Sequence, residues 1–132
     1  MKNVLPSLTK KENEIMKILW DSEKPLMSSE ITVLANVAEK SCLPMINTLL
    51  KKGYLKVVGN LKMGKTVNRL YVASISLSEY TAMQLNTIYA ANNKKIDISS
   101  MLSYLVKGIE KRDEAALIKD LKDMIEKYES DN

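Results

Sequence analysis

The chain has 132 residues, with 20 Lys or Arg against 16 Asp or Glu and a formal charge of +4, which fits one ordinary domain or a small domain with a helical appendage. It contains no histidine and a single cysteine, Cys42, so an internal disulfide is excluded and the usual general base and zinc ligand are missing. A Ser-His-Asp or Cys-His nucleophile cannot be assembled, and Gly53, Gly59, Gly64 and Gly108 are scattered rather than gathered into a phosphate loop. Composition thus points away from an enzyme, a cofactor and a metal site, and the lack of a signal peptide or long apolar run predicts a cytoplasmic protein.

Thr9-Lys10-Lys11-Glu12 is a capping box, with a hydroxyl at the N-cap and a carboxylate three residues on. It predicts a helix over roughly 9–21 with Ile15, Ile18 and Leu19 facing inward, and Trp20 as a core or dimer contact. Lys24-Pro25 breaks the chain, and Ser28-Ser29-Glu30-Ile31 opens a short second helix ending near Ala38. Ser41 can cap a third helix running to Lys52, where Gly53 supplies the left-handed stop. Cys42, Met45, Ile46, Leu49 and Leu50 recur on it at three- and four-residue spacing, a buried stripe on which Cys42 reads as a small hydrophobe. Because proline is tolerated in a first turn, Pro44 predicts a start no earlier than about Lys40 or Ser41.

Tyr54–Val58 and Thr66–Val72 are β-branched and aromatic runs separated by glycines, predicting a hairpin with Lys62, Met63, Gly64 and Lys65 at its tip. Ser74–Ser78 is a small-residue linker, and the boundary is placed between residues 75 and 76. Beyond it come a helix over about 79–91, a turn at Asn92-Asn93-Lys94-Lys95, a helix striped with Ile98, Met101, Leu102, Leu105, Val106 and Ile109, and a last helix over about 114–129. That last helix carries Leu117, Leu121, Met124, Ile125 and Tyr128 on one side.

Three helices followed by a hairpin make a winged helix-turn-helix, so the predicted class is mostly α with a small β-hairpin: a winged domain (1–75) followed by a helical dimerisation domain (76–132). The charge agrees. Residues 1–75 hold twelve basic and six acidic residues, and residues 76–132 hold eight and ten. Lys40, Lys51, Lys52, Lys56, Lys62, Lys65 and Arg69 lie between Lys40 and Glu79 with no acid among them, the footprint of a surface that meets a phosphate backbone. The outward side of the third helix offers Leu43, Pro44, Asn47, Thr48 and Lys51 to a major groove. Lys62 and Lys65 at the wing tip, with Lys40 and Lys51, would hold phosphates, and Ser41 completes the DNA-binding set. The stripes Met101, Leu102, Leu105, Val106 and Leu117, Leu121, Met124, Ile125, Tyr128 would interlock between two chains. Such a dimer sets two recognition helices about 34 Å apart on a pseudo-palindrome, and its affinity should fall with salt at a slope near −5 to −9 for about six to ten phosphates.

Leu8-Thr9-x-x-Glu12-x-Glu14-Ile15-Met16-x-Ile18-Leu19-Trp20 resembles the opening helix of the penicillinase-repressor family, the BlaI/MecI-type winged-helix repressors. Glu30-Ile31, Leu49-Leu50-Lys51-Lys52-Gly53-Tyr54-Leu55 and Arg69-Leu70-Tyr71 fall where that family has its own Glu-Ile, Lys-Gly-x-Leu and wing Tyr patterns. The resemblance implies a homodimeric repressor of palindromic operators at β-lactam-resistance genes. In several members a membrane-bound sensor-transducer leads to a cut within the dimerisation domain. The family's outward Thr and Arg on the recognition helix are here Pro44 and Thr48, and its cleaved Asn-Phe pair falls at Tyr104-Leu105. The paired Cys-x-Cys motifs of the copper-responsive branch are absent, so control by a metal is not implied. Two other readings remain from the residues: a winged-helix module that docks a protein through Leu43 and Pro44, and a regulator responding to a small ligand.

Overall fold

The computed structural model describes residues 5–93, 95–109 and 111–131; Lys94 of the predicted turn and the side chain of Tyr128 lie outside what is described. The element order is α1 (Lys10–Asp21), α2 (Ser28–Ala35), α3 (Glu39–Lys52), β1 (Leu55–Met63), β2 (Thr66–Ala73), α4 (Leu77–Ala91), α5 (Ile98–Lys107) and α6 (Lys111–Asp131). These fall into two compact units, Met1–Thr87 and Ile88–Asn132.

In the first unit, α1 starts as its sequence dictates. The Thr9 hydroxyl accepts from the Glu12 N–H at 3.2 Å, and the Glu12 carboxylate accepts from the Thr9 N–H at 2.9 Å. α2 ends three residues earlier than predicted because Asn36 takes the left-handed conformation, φ 54°, leaving Asn36–Ala38 as the turn into α3. α3 also departs from expectation. Ala38 is its N-cap, Ser41 is its third residue and not its cap, and Pro44 sits in the second turn. Pro44 has no N–H for the carbonyl of Lys40, and that carbonyl lies on an exposed residue where water can replace the bond.

The core gathers Ile15, Met16 and Leu19 of α1, Leu26, Ile31 of α2, Cys42, Ile46 and Leu49 of α3, and Tyr54, Leu55 and Tyr71 at the base of the hairpin. Cys42, Ile46 and Leu49 follow the helical repeat, each at most 1% exposed. Burying side chains of this size stabilises by about 1.5–3 kcal/mol each, and that holds α3 against α1 and α2. Leu26 and Tyr71 exchange two backbone hydrogen bonds, 3.0 and 2.8 Å, closing the β2 edge at the root of the wing.

The strands are longer than the two predicted runs. β1 and β2 pair antiparallel from Leu55↔Ala73 to Met63↔Thr66, with a bulge between Val57 and Gly59. Gly59 lies opposite Leu70, whose side chain would be 3.8 Å from an added Cβ. A two-residue turn of Gly64 and Lys65, with Gly64 at φ 62°, joins the strands. Segment Gly59–Lys65 is therefore ribbon and tight turn, not an open loop, and its four residue steps carry Met63 roughly 13 Å beyond Gly59.

The linker is fastened. Ser74 N–H donates to the Tyr54 carbonyl at 2.8 Å and its hydroxyl to that of Gly53; the Trp20 indole N–H donates to the Ile75 carbonyl at 2.9 Å. Ser76 and Glu79 then form a second capping box, with bonds of 2.8 and 3.0 Å, that opens α4 two residues before its predicted start. Tyr80 of α4 packs at 5.2 Å from Trp20 with the rings tilted by 36°, and meets the Tyr54 ring edge-on at 6.0 Å.

In the second unit, Asp97 caps α5 by accepting from the Ser100 N–H at 3.2 Å. α5 and α6 leave their apolar sides open within one chain: Leu102 and Leu105 are each 49% exposed, Met124 52% and Ile125 58%. Met101, Val106 and Leu117 are half-buried, and Leu121 is exposed.

Candidate nucleic-acid interface

The inward stripe of α3 fixes which residues remain outside. Lys40, Ser41, Leu43, Pro44, Asn47 and Lys51 are exposed, while Thr48 is half-buried. These occupy one side of a helix narrow enough for a major groove. Asn47 presents a free amide there, able to donate and accept against an adenine edge. The Thr48 hydroxyl donates to the Pro44 carbonyl at 3.0 Å, so its proton is engaged within the helix and only its oxygen is left to accept from a base amino group.

The seven basic residues do not form one face. Lys52 is committed inward: its ammonium lies 2.6 Å from the Glu12 carboxylate and donates to the Ser7 carbonyl at 3.0 Å. Glu12 is the one buried charged residue among those described, 5% exposed. Burial works to raise its pKa, but the hydrogen bond from Lys52, the Thr9 N–H, the Lys52 charge and the Thr9 hydroxyl together hold it below the ordinary glutamate value. On the wing, residues directly paired share a face. Asn60↔Arg69 and Lys62↔Val67 lie on one side; Lys56↔Val72, Leu61↔Asn68 and Met63↔Thr66 lie on the other. Lys62 and Arg69 therefore share a side, Lys65 stands in the turn, and Lys56 lies on the other side.

Sequence reasoning missed three features. The acid-free basic stretch takes in Lys52, which the DNA-binding set leaves out; its inward tie to Glu12 has no sequence signal except the helical phase that separates it from Lys51. The Ser76–Glu79 box lies across the end of the predicted linker, although Ser-x-x-Glu repeats the Thr-x-x-Glu pattern at Thr9. Glu79 is held below its ordinary pKa by the Ser76 N–H and then by the Ser76 hydroxyl, the mark of that box. Asn60 and Arg69 were not singled out as a cross-strand pair because the register depends on the bulge before Gly59.

Among the described residues, no group of three or more His, Cys, Asp or Glu is placed to hold a metal ion, and no helix is long and apolar enough to cross a membrane. A helix-turn-helix with an exposed polar and basic recognition helix and a basic two-stranded wing defines a winged-helix DNA-binding protein. The penicillinase repressor family model matches residues 8–127, and the chain belongs to that family: it is a DNA-binding transcriptional repressor, not an enzyme. No curated protein matches the chain. Among solved structures it is similar to Streptococcus pneumoniae FabT in complex with DNA, at 13% identity over 95% of this chain and 78% of that one, TM-score 0.43. It is also similar to the zinc-responsive MarR family member ZitR of Lactococcus lactis, at 12% identity over 93% and 78%, TM-score 0.45. A third is the adhesin competence repressor AdcR of Streptococcus pyogenes, at 14% identity over 92% and 81%, TM-score 0.41.

Proposed function

We propose that the chain acts as a cytoplasmic homodimer on a pseudo-palindromic operator, repressing β-lactam-resistance or related cell-envelope stress genes. Residues 1–75 contact DNA and 76–132 join the protomers. The observation that carries the reading is the pairing, in one chain, of an outward α3 face bearing Lys40, Asn47 and Lys51 with the open apolar sides of α5 and α6. Apolar stripes of this length in water favour self-association, and a twofold dimer repeats the reading head at one helical turn of DNA. Lys40, Ser41, Lys51, Lys62 and Lys65 hold phosphates in this reading, and Leu43, Pro44, Asn47 and Thr48 face bases. With no Arg on the outward side of α3, the operator differs from that of relatives that read guanine through one.

Relief of repression through a membrane sensor-transducer would require a cut that weakens the dimer. Tyr104, 74% exposed, and Leu105 lie inside α5 with Lys107 over the Tyr104 ring at 5.0 Å. A protease that binds extended backbone must unwind α5 to reach this pair, and the cut would divide the apolar stripe. The test of the main reading is binding to a labelled fragment of the protein's own promoter region, with non-specific competitor, at two salt concentrations. Salt-sensitive retention of that fragment alone supports it. A second reading, protein docking through the winged domain, is favoured by the exposure of Val33 and Leu34 on α2 and of Leu43 on α3. Lys62→Glu with Lys65→Glu separates the two, because it abolishes DNA binding and leaves an apolar contact intact.

A further inference from the structure

We propose that the Glu12–Lys52 ion pair, with the residue 5–9 segment around it, is a positioning device that sets the rotation of α3, and through it the discrimination between operator and other DNA. The inference rests on α3 being the recognition helix. Three contacts converge on the end of α3. Lys52 meets the Glu12 carboxylate at 2.6 Å and the Ser7 carbonyl at 3.0 Å, and the Tyr54 hydroxyl, just beyond Gly53, donates to the Pro6 carbonyl at 2.7 Å. Leu5 closes over the same bend, its Cδ2 only 3.3 Å from where a Gly53 Cβ would stand. Glu12 is itself clamped by the Thr9 box, so the acceptor that Lys52 meets is fixed.

The other end of α3 is held more sparsely. Its N-cap Ala38 makes no side-chain bond, and Pro44 deletes one helical bond. Apolar packing through Cys42, Ile46 and Leu49 resists removal from the core, but it is non-directional and tolerates small rotations. Lys52 held at two fixed acceptors at once, with the rigid Tyr54 phenol bonded to Pro6 beside it, anchors the C-terminal end of α3 and so the angle at which Asn47 and Thr48 meet a groove. Hydrogen bonds to base edges need placement within about 0.5 Å and 10–20°. Long lysine side chains on phosphates adapt to larger errors. Loss of the pair should therefore cost specificity and leave the electrostatic part of binding alone.

The test uses the full-length double variant E12Q with K52M. Glutamine still serves the Thr9 box, methionine keeps the apolar stem, and no buried charge is left alone. A duplex enriched by the wild-type protein from a random-sequence pool is compared with an unrelated duplex, across a salt series, with circular dichroism as the fold control. The expected result is native helicity, an unchanged salt slope and unchanged non-specific affinity, with operator preference reduced about 10- to 100-fold. Operator preference within about twofold of wild type in the folded variant overturns the proposal. Should the double variant fail to fold, Tyr54→Phe, which keeps the ring and deletes only the hydroxyl bond to Pro6, is expected to lower preference several-fold; unchanged preference there overturns it equally. If the wild-type protein enriches no sequence, it is the recognition-helix reading that fails.

Discussion

Lys62→Ala with Lys65→Ala isolates the contribution of the wing tip. Lys62 lies near the end of β1 and Lys65 within the tight turn that Gly64 makes, and both are exposed; among the described residues neither takes part in an ion pair. Their removal should change stability by no more than about 0.5 kcal/mol, the usual range for surface substitutions. Each phosphate contact contributes about 0.9 to the slope of log K against log salt, so losing the four contacts of the proposed dimer makes the slope shallower by about 3 to 4. Between 50 and 200 mM salt this amounts to roughly a hundredfold smaller loss of affinity than the wild type suffers. Anisotropy titrations of a labelled duplex over a salt series give the slope directly. The E12Q with K52M double variant in the same assay supplies the contrast: the Lys52 ammonium is spent on Glu12 and Ser7, no buried carboxylate is left alone, and the slope should match wild type. An unchanged slope in the wing variant, or a slope in the E12Q with K52M variant reduced as much as in the wing variant, refutes the assignment of which cations meet phosphate.

Leu121→Asp places a charge in the open stripe of α6 and should yield folded monomers by sedimentation, since Leu121 is exposed within one chain; a dimer unaffected by it means the interface lies elsewhere. Ile46→Ala empties a site 1% exposed beneath Asn47 and should cost about 2–5 kcal/mol in denaturant unfolding, with a change below about 1 kcal/mol contradicting the packing described for α3. Glu12 has a folded pKa below its unfolded value, so its contribution to stability is present above the unfolded value and disappears as pH falls through the folded one. Unfolding followed across the acid range should show this loss in the wild type and a weaker pH dependence in Glu12→Gln. Parallel curves would assign the acid sensitivity to other carboxylates.

Local rules carried much of the fold. The Thr9 box, the Cys42–Ile46–Leu49 spacing and Gly53 are signals within one or two helical turns, and each appears where the spacing places it. The departures come where an adjoining element or the core, and not the best local signal, decides. Ser41 is a good capping residue, yet Ala38 takes the position because Asn36 ends α2 in the left-handed conformation and leaves only a short turn before the next helix. Pro44 is tolerated one turn deeper than expected, because packing of Cys42 and Ile46 holds a helix that propensity alone would interrupt.

The basic stretch is the instructive case for function. Sequence spacing counted seven cations between Lys40 and Glu79, but a face is defined by phase and register, not by composition. The helical phase of α3 separates Lys51 from Lys52 by about 100°, enough to leave one in water and bring the other to Glu12, forty positions away. The bulge before Gly59 adds one residue to β1, which reverses the side taken by every later residue of that strand relative to an unbulged ribbon. It places Lys62 with Arg69 and leaves Lys56 on the other side. A bulge and a buried cation each leave total charge untouched, so the electrostatic signal that identifies a DNA-binding surface persists whether or not its individual lysines point toward DNA.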